Sequence, residues 1–174
     1  MRKFLDTVYT ISGVISAGFI ALICIVVSAQ VTLNLITKIF GSAYSYTIPS
    51  YADFAGFFLA SASFLALAYT LTRGGHIRVT LVIQTFSPLP RLFSELASLA
   101  LGAIISAYAT YFMARLNMES YEFGDLSFGI IAIPIWVPQL AVSGGLLILT
   151  VAFVDLFWTT LGARKPVLEK TGME

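Results

Sequence analysis

Charge is what this sequence has least of. Only 11% of its 174 residues are Asp, Glu, Lys or Arg, and 58% are hydrophobic. A soluble domain carries about 25% charged residues, so the composition excludes an ordinary soluble globular protein. The net charge of +1 also provides no basic surface for binding a nucleic acid. These deficits predict an all-α integral membrane protein.

Residues that carry chemistry are equally scarce. The one cysteine, Cys24, cannot form a disulfide within the chain, and the one histidine, His76, excludes bis-histidine haem ligation within it. The sequence contains neither an HExxH motif nor a P-loop. The acidic residues of the apolar segments, Asp53, Glu95 and Asp155, all lie near segment ends. We therefore expect no enzyme activity, and no metal or cofactor bound by this chain.

Long uncharged stretches are what the sequence has instead. Each of four reaches the length of about 18 residues that marks a membrane-spanning helix. They are Thr7–Thr37, Phe54–Thr72, Leu96–Ala114 and Leu126–Val154. We predict one membrane domain, 1–174, with spans at about 7–36, 50–72, 91–113 and 134–161. Trp136 and Trp158 support the fourth span, because 22 residues of helix extend ~33 Å, close to one hydrocarbon thickness.

A shorter apolar segment, residues 77–86, lies between the second and third spans. Its residues Val79, Val82, Ile83 and Phe86 recur at helical spacing, with polar residues on the other side. The segment is too short to cross a bilayer. We predict an amphipathic helix lying in the membrane interface.

The distribution of Lys and Arg predicts the orientation. Eight of these ten residues lie in the N-terminus, the second loop and the C-terminus, and only Lys38 and Arg115 lie in the other two loops. Cationic loops stay in the cytoplasm, so we expect both termini there. The start of the chain also resembles a secretory signal with a cleavage site at Val27-Ser28-Ala29. The apolar run exceeds the ~7–15 residues of a signal core, so we interpret it as an uncleaved helix.

Several residues are candidates for packing or capping. Gly56 with Ala60, and Gly102 with Ser106, are pairs of small residues at the four-residue spacing that lets membrane helices approach closely. Asp53 falls in the first turn of the second helix, where a carboxylate suits the helix dipole. An ion site at Asp53 is the alternative. Three acids, Glu119, Glu122 and Asp125, lie in the loop expected at residues 117–129.

Three segments carry a resemblance to a known family. They are TRGGHIRV after the second span, PLPRLF before the third, and SFGIIAIPIWVPQ before the fourth. In their order and spacing the chain resembles the small membrane (Q) subunit of tripartite ATP-independent periplasmic (TRAP) transporters. The resemblance covers nearly the whole chain, including its four spans and its orientation.

The resemblance implies a three-component uptake system in the bacterial inner membrane. A large multi-helix subunit would hold the substrate and sodium sites and move as an elevator. A periplasmic protein would deliver an organic acid, such as a C4-dicarboxylate or a sialic acid, and this chain would enlarge and anchor the stationary scaffold. Arg73, His76 and Arg78 would contact lipid phosphates or the partner. Glu119, Glu122 and Asp125 would face the docked periplasmic protein. Independently of the resemblance, we expect Gly56, Ala60, Gly102, Ser106 and Trp136 to pack helices.

Two other classes of function fit the same composition. A self-assembling channel or exporter would need Asp53 to line a pore. A membrane anchor of a redox enzyme would need a partner to supply the cofactor ligands that this chain lacks.

Overall fold

The computed structural model describes residues 2–41, 46–74 and 88–163. In these ranges the chain forms four α-helices and no strand; the only pairing of extended residues is an isolated bridge between Leu126 and Pro134. The helices are α1 Arg2–Phe40, α2 Tyr51–Thr72, α3 Pro88–Phe123 and α4 Trp136–Ala163. Each is long and apolar enough to cross a membrane. The all-helical, four-span prediction is confirmed, whereas the interfacial helix at 77–86 lies outside the described residues.

Two of the helices, α1 and α3, extend beyond both ends of their predicted spans. α1 has 39 residues and α3 has 36, so they are ~58 Å and ~54 Å long against a hydrocarbon core of ~30 Å. The prediction of a loop at residues 117–129 is wrong in its first half, because residues 117–123 are helical. No glycine or proline interrupts the chain between Gly102 and Gly124.

Gly124 ends α3. Its φ of +66° is a left-handed conformation that glycine adopts without steric cost. The next N–H, of Asp125, donates to the carbonyl oxygen of Ser120 at 3.0 Å, which is the long bond of a Schellman motif.

The four helices pack in the order α1, α2, α4, α3. α2 lies between α1 and α4, α4 also packs along α3, and α1 meets α4 only briefly. Successive helices run in opposite directions. The start of α1 and the end of α4 therefore lie at the same end of the bundle, which we call the terminal end. The starts of α2 and α4 and the end of α3 lie at the opposite end, which we call the loop end.

The core lies toward the terminal end. It contains side chains from all four helices: Tyr9, Ala68, Leu71, Leu99, Leu149, Ala152 and Leu156. Ala68 and Ala152 have no exposed surface, which shows how closely α2 and α4 approach there. The outward faces of α1 and α3 are instead covered with exposed large hydrophobic residues, among them Val14, Ile25, Val31, Phe93, Ile104 and Tyr108. Apolar surface of this extent needs lipid or a protein partner to cover it.

Candidate functional site

Serine hydroxyls join α1 to α2. Ser16 Oγ donates to the carbonyl oxygen of Ala62 at 2.7 Å, and Ser12 Oγ donates to that of Leu65 at 2.5 Å. Both serines are almost completely buried. At Gly13, which directly follows Ser12, an added Cβ would lie 2.8 Å from the Tyr69 ring. The hydroxyls of Ser12 and Ser16 therefore bind the backbone of α2 inside this interface.

Glycine allows α2 and α4 to touch. A Cβ at Gly145 would lie 2.6 Å from the carbonyl carbon and oxygen of Phe64. Main-chain atoms cannot rotate away as the end of a side chain can, so position 145 requires glycine. Its neighbour Gly144 has open space around it.

Close packing and hydrogen bonds connect α3 to α4. The ring of Phe153 lies against Gly102, where a Cβ would come within 2.6 Å of it. Thr110 and Thr150 share a hydrogen bond of 3.2 Å between their hydroxyls. Asn117 Nδ2 donates to the carbonyl oxygen of Trp136 at 2.8 Å, which ties the start of α4 to α3.

The residues predicted to pack helices fall in different environments. Gly102 faces Phe153, and Ser106 is buried on α3, where its hydroxyl donates to the carbonyl of Ala103 in the same helix. The Trp136 ring meets Tyr121 edge to face at 5.5 Å. Gly56 is exposed, with no atom of the described chain within 4 Å of an added Cβ, and Ala60 is half-buried. Gly56 thus faces no neighbouring helix closely within the described ranges.

The connection between α3 and α4 is held against the start of α2. Its two ends pair through hydrogen bonds from Ser127 N–H to Ile133 O at 2.8 Å and from Ile135 N–H to Asp125 O at 3.0 Å. At its tip, the Ile131 N–H donates to Ser50 Oγ at 2.9 Å. Gly129 lies so close to α2 that an added Cβ would overlap the Asp53 carboxylate and lie 2.5 Å from Ser50 Oγ.

Asp53 is therefore a contact residue of this connection. It stands in the first turn of α2 and is half-buried. Sequence reasoning missed its neighbour Gly129, although SFGII, with one glycine between large apolar residues, was a signal. Phe128 and Ile130, on either side of Gly129, are largely exposed.

The three predicted acidic residues share the loop end. Glu119 and Glu122 lie in the last two turns of α3, and Asp125 follows Gly124 in the Schellman turn. All three are exposed. The nearest cationic residue in sequence, Arg115, is exposed one turn earlier on α3.

At the terminal end, Arg73 follows the last turn of α2. It is exposed, and its guanidinium carbon lies 5.5 Å from the centre of the Tyr69 ring. His76 and Arg78 lie outside the described residues. Arg73 borders a polar pocket of about 250 Å³ between α1 and α2 that sequence reasoning did not find.

A comparison with known families supports one of the sequence interpretations. Residues 23–162 match the model of the DctQ component of tripartite ATP-independent periplasmic transporters. The chain belongs to this family. Neither a curated protein nor a solved structure gives a significant match.

Membership in the DctQ family confirms the resemblance seen in the sequence. DctQ is a transporter component and not an enzyme family, and it works with a large component, DctM, and a periplasmic component, DctP. The match and the four apolar helices indicate a multi-pass membrane protein. A redox-enzyme anchor does not fit this family.

Proposed function

We propose that this DctQ chain is a stationary scaffold subunit. It enlarges and anchors the membrane part of a sodium-coupled importer whose large partner moves as an elevator. The substrate, an organic acid such as a C4-dicarboxylate or a sialic acid, and the sodium ions bind to the partner. The periplasmic component delivers the substrate.

This proposal rests on the direct contacts that join neighbouring helices in the described part of the chain. Ser12 and Ser16 bind backbone of the neighbouring helix, and Thr110 binds Thr150, so the interfaces are closed by direct contacts. Gly145 brings α2 and α4 into backbone contact. A subunit that holds its helices by such short contacts is suited to remain still while a partner moves against it.

The outer faces of α1 and α3 supply the surface for anchoring. Both present exposed large hydrophobic side chains along most of their length. Lipid covers one part of this surface in the proposal, and the large component covers the other. The helices of ~54–58 Å accommodate a ~30 Å hydrocarbon core by tilting or protruding.

The orientation in the proposal follows the positive charges. Both termini lie in the cytoplasm, which places the terminal end of the bundle inside and the loop end in the periplasm. Arg73, His76 and Arg78 then contact lipid phosphates or the partner at the inner interface. Glu119, Glu122 and Asp125 face the docked periplasmic protein.

Co-purification tests the scaffold role. The chain, tagged at its C-terminus and extracted from its native membrane in mild detergent, is expected to bring down one large multi-helix protein in stoichiometric amount. Recovery of a homo-oligomer alone would contradict the proposal and favour the channel alternative. Uptake by proteoliposomes with the large component, the periplasmic component and a sodium gradient is expected to require this chain.

Charge substitutions test the two surfaces separately. Reversal of Glu119, Glu122 and Asp125 is expected to lower uptake that depends on the periplasmic component and to leave assembly intact. Replacement of Arg73, His76 and Arg78 by alanine is expected to weaken assembly or uptake. Unchanged assembly and uptake in either set would remove the role proposed for that surface.

Asp53 separates a scaffold from a pore. Because its carboxylate lies against Gly129, Asp53→Asn is expected to change stability slightly and leave ion selectivity unchanged. A selective ion current in liposomes that contain the chain alone, abolished by Asp53→Asn, would support a channel instead.

A further inference from the structure

A polar pocket opens at the terminal end between the first turns of α1 and the last turn of α2. Its volume is about 250 Å³, and it is lined by Asp6, Tyr9, Thr10, Tyr69, Thr72 and Arg73. The lining is mixed in charge, with one carboxylate from α1 and one guanidinium from the end of α2. None of its residues contributes to the loop-end contacts or to the α3–α4 interface.

The two charged groups of the pocket have no ionic partner in the described part of the chain. The Arg73 side chain rests over the Tyr69 ring, and Asp6 accepts a bond from Thr10 only through its backbone carbonyl. Five guanidinium N–H donors and two carboxylate oxygens therefore border one cavity. A ligand with both an anionic and a cationic group would satisfy both sides at once.

One residue of the pocket lining carries a buried hydroxyl. Tyr9 is 2% exposed, and its hydroxyl has no hydrogen-bond partner in the described residues. With the Asp6 carboxylate and the Thr10 hydroxyl, α1 contributes acceptor oxygens to the pocket lining, and these suit a group that donates hydrogen bonds.

The position of the pocket favours a lipid over a soluble molecule. α2 has 22 residues and extends ~33 Å, close to one hydrocarbon thickness, and Arg73 directly follows it. The pocket therefore lies at the level of the lipid headgroups, where phosphate and amine groups are concentrated.

We propose that this pocket binds the phosphoethanolamine headgroup of a phospholipid. Arg73 binds the phosphate through paired N–H donors, and Asp6 accepts hydrogen bonds from the primary ammonium. A choline headgroup has no N–H to donate, and a glycerol headgroup has no cation. Both should bind more weakly than phosphoethanolamine. The inference depends on the membrane placement of α2 and not on the transport role.

Native mass spectrometry of the membrane-extracted complex tests this site. The complex is titrated with phosphatidylethanolamine, phosphatidylcholine and phosphatidylglycerol of matched acyl chains. We expect phosphatidylethanolamine to bind several-fold more tightly than the other two. Asp6→Asn and Arg73→Gln should each weaken it about five- to tenfold, the effect of losing a charge-assisted hydrogen bond at a partly exposed site.

Matched substitutions at the opposite end serve as controls. Asp125→Asn and Arg115→Gln remove an exposed acid and an exposed cation far from the pocket and should leave the lipid preference unchanged. Equal binding of the three lipids would overturn the proposal, as would a phosphatidylethanolamine preference that survives both pocket substitutions. Soluble phosphoethanolamine that binds as tightly as the lipid would overturn the assignment to a membrane ligand.

The same spectra keep this inference separate from the proposed function. They report whether the large component remains bound in each variant. Loss of lipid preference with the complex intact identifies the pocket as the lipid site. A complex that never contains a large component would contradict the scaffold role and leave the lipid result standing.

Discussion

Ser16 on α1 donates a 2.7 Å hydrogen bond to the carbonyl oxygen of Ala62 on α2, and both residues are buried. In lipid, apolar side chains gain nothing by leaving one apolar environment for another, so helix association depends on close packing and on bonds such as this one. The hydrogen bond between Ser16 and Ala62 therefore helps to hold α1 against α2.

Ser16→Ala is expected to destabilise the folded chain by about 0.5–1.5 kcal/mol, the range for one interhelical hydrogen bond in a membrane protein. The loss should appear as a lower unfolding midpoint in detergent titrated with sodium dodecyl sulfate. Ser63→Ala is the matched control, because the Ser63 hydroxyl is exposed and binds the Leu59 carbonyl of its own helix. Equal effects of the two substitutions would contradict the importance of the α1–α2 bond.

Gly145→Ala is expected to cost about 1–3 kcal/mol, because the new methyl group meets the Phe64 backbone and the helices must move apart. The adjacent Gly144 has open space, so Gly144→Ala should be neutral or stabilise the helix by up to about 1 kcal/mol. Thermal unfolding of the two purified variants measures the difference. A Gly145→Ala variant as stable as Gly144→Ala would show that α2 and α4 do not touch there.

Gly129→Ala is expected to displace the connection between α3 and α4, since the added methyl group overlaps the Asp53 carboxylate. We predict a loss of about 1–3 kcal/mol, the usual cost of overpacking a close contact. Limited proteolysis of the connection should become faster. In the double variant with Asp53→Ala the obstacle is removed, so the effect of Gly129→Ala should shrink. A full effect that persists without the Asp53 side chain would exclude this contact as its cause.

Thr110 and Thr150 offer a direct test of the α3–α4 pairing. Their hydroxyl oxygens are 3.2 Å apart, so cysteines at both positions should form an intramolecular disulfide under mild oxidation. Cys24→Ser removes the native thiol beforehand. Non-reducing electrophoresis should show a faster band for the double variant and none for either single variant. A band at the mass of two chains would instead indicate contact between copies.

Much of the fold follows from composition. Uncharged stretches longer than about 18 residues admit few structures other than spanning helices, because lipid offers no partner for unbonded backbone groups. The same argument explains the error at the end of α3. Charged residues from Arg115 to Glu122 mark where the membrane span ends but not where the helix ends, and only the glycine at 124 ends the helix.

Individual contacts could not be predicted in this way. Gly56 and Gly102 both begin small-residue pairs, yet only Gly102 meets a neighbouring side chain, that of Phe153, within the described chain. Spacing along one helix defines its face. It does not define which helix lies opposite, because that depends on the order in which all the helices pack.

The sequence by itself determined that this protein lies in a membrane, how many long helices it has and which family it belongs to. Hydropathy and the order of motifs are properties that can be read along the chain without its tertiary structure. Only the tertiary structure decided that α2 and α4 form the centre. It also placed Gly129 against Asp53 and brought Asp6 and Arg73 to one pocket. These relationships join residues more than sixty positions apart. They exist only because the helices are held at contact distance, by hydrogen bonds from side chains to backbone carbonyls and by glycines that have no Cβ atom.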